Sequence, residues 1–166
     1  MINAIVAVCD DWGIGWQGGL LVPNKADMAS FVAHTKGGTV VMGRSTLESF
    51  PGGRPLRGRR NIVITRNPGY AVEGAEVVHS VEEALAAVAE DAADPSRVWV
   101  IGGASIYEQM LPHTDRVVVT HNHCVRPADT FFPNLEADPA WRVESTEPGG
   151  VTPEGVEFEF RTYVRA

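Results

Sequence analysis

The chain has 166 residues, 44% of them apolar, and a formal net charge of −7. That suffices for one domain around a single core and is too little for two of ordinary size. The acidic balance excludes nucleic acid as an expected partner, because phosphate binding needs a basic face. No apolar run approaches the ~20 residues of a membrane-spanning helix, and residues 2–9 have no basic segment before them, so neither a membrane span nor a signal peptide is expected. The two cysteines, Cys9 and Cys124, read as packed thiols and not as a disulfide, which places the chain in a reducing, cytoplasmic compartment.

Residues 2–9 form a near-continuous apolar run, the pattern of a strand buried on both faces of a mostly parallel sheet. The following Gly13-Ile14-Gly15-Trp16-Gln17-Gly18 has the spacing of a dinucleotide fingerprint. It leads into more loop, however, and not into a helix whose first amides could hold a pyrophosphate. These glycines read as a long mobile lid.

Asn24 is a good N-cap, and Met28, Phe31, Val32 and Thr35 recur at helical spacing after it. Asp27 falls on the margin of that apolar stripe. It is either the reciprocal acid of a cap with Asn24 or a half-buried carboxylate, set among Met28, Phe31 and Ile5, that awaits a hydrogen-bond-donating ligand.

Residues 39–42 make a second strand, and Gly43-Arg44-Ser45-Thr46 opens a short helix in which Ser45 and Glu48 have capping-box spacing. A glycine, an arginine and two hydroxyls at a strand end suit a phosphate. The only basic cluster, residues 54–60, suits a small anionic ligand better than a polymer. Residues 61–65 and 75–78 are further strands. Ser80 caps an alanine-rich scaffold helix running to about Ala93, with Val81, Leu85 and Val88 inward.

Residues 97–101 form a strand that runs into Gly102-Gly103-Ala104-Ser105 and a helix bearing Ile106, Tyr107, Met110 and Leu111. Two glycines there let phosphates approach backbone amides. Residues 116–120 are a strand followed by His121 and His123, which share a face, but no third ligand is in view and no metal site is expected. Residues 141–145 and 156–165 close the chain as antiparallel strands joined by a loop at 148–153. In the last strand Val156, Phe158, Phe160 and Val164 face inward and Glu157, Glu159, Arg161 and Arg165 face water. The sum is a single α/β domain over residues 1–166: a mostly parallel, twisted sheet of about eight strands, finished by an antiparallel hairpin and flanked by about four helices. Ligands of such sheets bind beyond the carboxyl ends of strands, where Gly43, Thr65, Gly102 and Thr120 converge.

With these motifs in hand the chain closely resembles the bacterial dihydrofolate reductases. The likeness rests on residues 5–15, Ala26-Asp27 with Phe31, residues 41–46, residues 53–56 and 58–62, and residues 100–104 with Ile106-Tyr107. Thr120-His121, Asp129-Thr130 and Phe132-Pro133 complete it, all in family order.

The resemblance implies NADPH-dependent reduction of 7,8-dihydrofolate, with antifolates as inhibitors; a monomer is expected because no segment shows a surplus apolar face. It implies that Asp27 hydrogen-bonds the pterin with Thr120 as neighbour. Arg59 then grips the substrate's glutamate carboxylate, and Ile5, Met28, Phe31, Phe50, Leu56 and Ile101 line the pterin and benzoyl pocket. Ala7, Ile14, Gly15, Leu20, Gly43, Arg44, Ser45, Thr46, Thr65 and Arg66 fall on the cofactor side. Gly102, Gly103, Ala104, Ser105, Ile106, Tyr107 and Thr130 join them there, with residues 38–95 as an adenosine-binding subdomain. Arg44 and Arg66 meet the extra ribose phosphate, and a cis peptide joins the two glycines. The chain departs from the family pattern at Leu21-Val22, where Pro-Trp is usual, and at Lys25, where a proline is usual. It departs again at Ser45 and Ser105, which replace a histidine and an arginine. Two rivals are a pyrimidine reductase of riboflavin synthesis, which has no need of Asp27, and a non-catalytic nucleotide-binding module.

Overall fold

The computed structural model describes residues 1–90 and 95–166. Among these described residues, ten strands and four α-helices follow in order: β1 (Ile2–Val8), β2 (Gly13–Gly15), α1 (Lys25–Thr35), β3 (Thr39–Gly43), α2 (Arg44–Glu48), β4 (Arg60–Ile64), β5 (Glu76–Val78), α3 (Val81–Glu90), β6 (Val98–Gly102), α4 (Ala104–Met110), β7 (Arg116–Asn122), β8 (Thr130–Phe131), β9 (Trp141–Val151) and β10 (Glu157–Arg165). Eight of the strands make one sheet in the order β5-β4-β3-β6-β1-β7-β10-β9. The first six are mutually parallel, and the last two are antiparallel additions.

Alternation along the central strands explains why they read as unbroken apolar runs. Ala4, Val6 and Val8 of β1 face α3 and α4, together with Val100, Val117 and Val119. Ile5 faces the other way, with Val40, Met42, Val63, Trp99, Ile101 and Val118, under Leu47 of α2 and Phe31 of α1. Both faces are covered, so both parities must be apolar.

The structure corrects five expectations. Residues 13–15 are not free loop: β2 pairs antiparallel with β8, and a Cβ at Gly15 would lie 2.5 Å from Thr130 Oγ1. Ser45 caps nothing; the N-cap of α2 is Gly43, and Glu48 turns back to Arg44 at 2.7 Å. The stripe expected on α1 is buried only in part: Phe31 packs against the core and Thr35 is buried, but Met28 is 50% and Val32 43% exposed.

The supposed loop at 148–153 belongs largely to β9, which runs to Val151. Pro148 is tolerated because β9 is an edge strand. Gly149 is the extra residue of a bulge and lies so close to the Phe158 ring that a Cβ would come within 2.3 Å of it. Finally, the supposedly wetted face of β10 carries Tyr163, only 1% exposed, packed with Trp12 and His121. The expected end of α3 near Ala93 falls outside the described residues.

Candidate active site

Because six neighbouring strands are parallel, their carboxyl ends share one rim, and α1 lies across the face beneath it. Asn24 caps α1: its Oδ1 accepts the N–H of Asp27 at 3.1 Å, and its side-chain amide donates to Asn122 Oδ1 at 3.2 Å. Asn122, at the end of β7, donates in turn to the carbonyl of Val8. This buried chain of amides ties the start of α1 to the two central strands. Nothing in the sequence singled out Asn122, because its partner lies 98 residues away.

The Asp27 carboxylate does not serve the cap. Its Oδ1 accepts the Thr120 hydroxyl at 2.7 Å, across from the half-buried acid. Burial raises its pKa above the ordinary carboxylate value, and the Thr120 hydrogen bond lowers it by less. The charged form is therefore short of partners, which is the condition of a carboxylate that binds hydrogen-bond donors.

Ile5, Ile101, Phe31, Phe50 and Leu56 meet in one apolar cluster next to this acid, and Met28 stands exposed beside it. Arg59 lies over the Phe31 ring at 6.0 Å, and its Nε is buried without a hydrogen-bond partner. Asn61 holds the backbone around Arg59. It accepts from the Leu56 N–H and donates to the carbonyls of Leu56 and Arg59 at 2.9–3.0 Å. A cleft of about 170 Å³ also runs between α1 and the terminal hairpin, lined by Ser30, His34, Val118, Ser145, Glu147, Phe160 and Thr162.

The other half of the rim is built from backbone. Gly102 and Gly103 are joined by a cis peptide, with Thr46 Oγ1 3.1 Å from the place a Cβ on Gly102 would take. The helix starts divide into two kinds. Those of α1 and α3 are closed by side chains, Asn24 accepting from Asp27 and Ser80 from Glu83. Those of α2 and α4 begin at Gly43 and Gly103 with no side-chain cap, which leaves amides open at the rim.

Arg44 and Arg66 are exposed nearby; Arg44 pairs with Glu48 and stacks over Tyr70 at 4.3 Å. Thr65 and Arg66 follow β4, Ala7 and Ile14 are half-buried near the lid, and Leu20 is 67% exposed. Ser105 accepts from Gln109 on the surface of α4. Ile106 and Tyr107 lie inside the core instead, and the Tyr107 hydroxyl donates to the Ile5 carbonyl at 2.6 Å. Among the described residues no cluster of histidine, cysteine or carboxylate side chains could hold a metal ion. His121 is buried against Tyr163, whereas His123 faces Asp10 and Glu159.

An α/β sheet with one under-partnered acid, an apolar slot and an uncapped, glycine-lined rim suits a nucleotide cofactor beside a flat polar heterocycle. Comparison with known proteins is specific. The family model described as dihydrofolate reductase matches residues 1–165. A type 3 dihydrofolate reductase of Salmonella typhimurium is 44% identical over 134 residues, 81% of this chain and 79% of its own length. The dihydrofolate reductase of Neisseria gonorrhoeae is 37% identical over 98% of this chain and 97% of its own. Among solved structures, the Enterococcus faecalis dihydrofolate reductase complexed with NADP(H) and RAB-propyl superposes with a TM-score of 0.85. It is 35% identical, covering 99% of this chain and 96% of the other. The chain belongs to the dihydrofolate reductase family.

Proposed function

We propose that this protein reduces 7,8-dihydrofolate to 5,6,7,8-tetrahydrofolate with NADPH, and that Asp27 and Thr120 are its catalytic pair. The observation that carries the assignment of residues is the Asp27 carboxylate, half-buried, bonded to Thr120 and otherwise facing the apolar slot. A pterin offers that carboxylate a ring N–H and an amino group side by side, which suits a two-oxygen acceptor. Ile5, Phe31, Phe50, Leu56 and Ile101 close around the ring and exclude water, with Met28 at the mouth. Arg59, held in place by Asn61, takes the glutamate carboxylate of the substrate with a guanidinium whose Nε lacks a partner inside the protein.

The rim fits the cofactor. Uncapped amides at Gly43 and Gly103, the Thr46 hydroxyl and the exposed Arg44 and Arg66 make up the donor set that a pyrophosphate and a ribose phosphate require. NADPH, when bound, supplies the hydride. Asp27 orients the pterin and favours its protonation, while Leu20 and the β2 segment cover the reacting faces. The reading includes a monomeric, cytoplasmic protein that antifolates inhibit. Among the described residues, no helix is long and apolar enough to cross a membrane.

Absorbance at the nicotinamide band tests the reaction: NADPH is oxidised when dihydrofolate is supplied and persists with a ribosylated aminopyrimidine. Decay only with the pyrimidine would move the chain to riboflavin synthesis, and no decay with either substrate would make it a binding module.

A further inference from the structure

The ends of β1 and β7 bring the two cysteines together from positions 115 residues apart, with Cys9 Sγ 3.7 Å from Cys124 Sγ and both thiols free. Their backbones are already in hydrogen-bonding register, since the Asp10 N–H donates to the Cys124 carbonyl at 3.0 Å. Cys9 is buried, whereas Cys124 is half-buried and within reach of solvent. The reaction proposed above uses neither.

Cys9 also sits where the lid segment leaves the sheet. Its N–H donates to the Gly13 carbonyl and its own carbonyl accepts from Trp12. The two sulfurs pack with Leu21, Val22 and Val156, so they touch both ends of the segment that runs from the end of β1 to α1. Arg126, two residues beyond Cys124, donates to the Leu21 carbonyl at 2.7 Å and pairs with Glu154 at 2.8 Å.

We propose that Cys9 and Cys124 form an oxidation site, converted by hydrogen peroxide or an alkyl hydroperoxide into an intramolecular disulfide that clamps the base of the lid segment to the end of β7. Exposure assigns the order of events. The Cys124 thiolate attacks a peroxide oxygen; the O–O bond breaks, hydroxide leaves, and a sulfenic acid remains on Cys124. Cys9 is the resolving thiol. Burial, reinforced by its hydrogen bond to Cys124, pushes its pKa up to about 12, so it gives up its proton only as it attacks, to the hydroxyl leaving the sulfenic sulfur. Its sulfur attacks the sulfenic sulfur, the S–O bond breaks, and the departing hydroxide takes the Cys9 proton as water. Two thiols and one hydrogen peroxide thus give one disulfide and two waters, with two electrons passing from sulfur to oxygen. The sulfurs must close from 3.7 Å to about 2 Å, a movement that side-chain rotation can supply. A small dithiol reverses the change by exchange.

The experiment exposes the whole chain to hydrogen peroxide, then counts thiols after denaturation, weighs the intact protein and maps its peptides. The expected result is loss of both thiols, a mass lower by two hydrogens, a peptide joining Cys9 to Cys124, and full recovery with dithiothreitol. Cys124→Ser should keep its remaining thiol under the same treatment, because Cys9 is shielded. Cys9→Ala should stop at a sulfenic acid on Cys124, which a carbon nucleophile such as dimedone traps. Hydrogen exchange of the amides of residues 10–22 should slow on oxidation. Persistence of both thiols, oxygen gained on Cys124 without a cross-link, or a dimer joined through Cys124 would each overturn the site. Unchanged exchange in the cross-linked protein would overturn the clamp. None of these readings depends on turnover, so they stand or fall apart from the reductase assignment.

Discussion

Asp27 shows how far a single residue can be read from its spacing. Its place on the margin of α1 left two roles open, and the structure separates them by atom: the backbone N–H goes to the Asn24 cap and the carboxylate goes to Thr120. A side chain that reaches across 93 residues to its partner leaves no local pattern, so the strand pattern put Thr120 on the rim but its pairing with Asp27 came from family resemblance. Asn61 makes the same point more strongly. It is 2% exposed and spends three hydrogen bonds on the backbone that carries Arg59, yet in sequence it is one polar residue at the start of a strand. Asn61→Ala should lower folding stability by about 1–3 kcal/mol, since it strands buried carbonyls and an N–H. If Arg59 takes the substrate carboxylate as proposed, the variant should also raise KM for dihydrofolate about tenfold with little change in kcat. Urea denaturation and steady-state kinetics on the same preparation check both.

At the scale of elements, periodicity reads well where both faces are packed and poorly where one face serves something else. The central strands were legible because two apolar layers demand both parities. Helix α1 was legible in position, from its Asn24 cap, but only half legible in orientation: Phe31 and Thr35 pack inward as expected, while Met28 and Val32 stay exposed. The error at α2 has the same root, since a Ser-to-Glu spacing signals a cap only when the serine precedes the helix, and here Gly43 does. β9 was shortened because Pro148-Gly149-Gly150 reads as a turn, whereas an edge strand accepts the proline and a bulge needs the glycine. Gly149→Ala should therefore cost about 1–3 kcal/mol, because a Cβ would overlap the Phe158 ring or push the hairpin aside. Thermal unfolding of that variant checks the cost, and an unchanged Tm would mean that the hairpin yields freely there.

For the whole molecule, the fold buries one imidazole that must stay neutral. His121 lies at the junction of β7 and β10 against Tyr163, whose hydroxyl donates to Glu136, so the imidazole supplies the N–H between them. Burial, then the Arg161 charge, lower its pKa from 6.5 to about 4, against the opposing pull of Glu136 and Glu159. A folded-state value below the unfolded one means that protons bind preferentially to the unfolded chain. Stability is then full above about pH 6.5 and is lost as pH falls through the folded value, by an amount on the order of 3 kcal/mol. Urea midpoints across that range should fall more steeply for the wild type than for His121→Gln, which keeps a donor toward Tyr163 without the acid-sensitive ring. Asp27 has the opposite sign, and its consequence is for chemistry. Reduction consumes a proton at the pterin that Asp27 anchors and polarises, and a carboxyl whose pKa is raised by burial keeps that Asp27–pterin pair protonated over a wider range. The most direct test is single-turnover hydride transfer from NADPH to dihydrofolate, followed across pH in the wild type and in Asp27→Asn. The wild-type rate should fall as pH rises past a midpoint above the ordinary carboxylate range. The variant should lose that midpoint and about 100-fold or more of the neutral-pH rate while binding NADPH as before. A variant that transfers hydride at the wild-type rate with the wild-type profile would contradict the role given to this carboxylate.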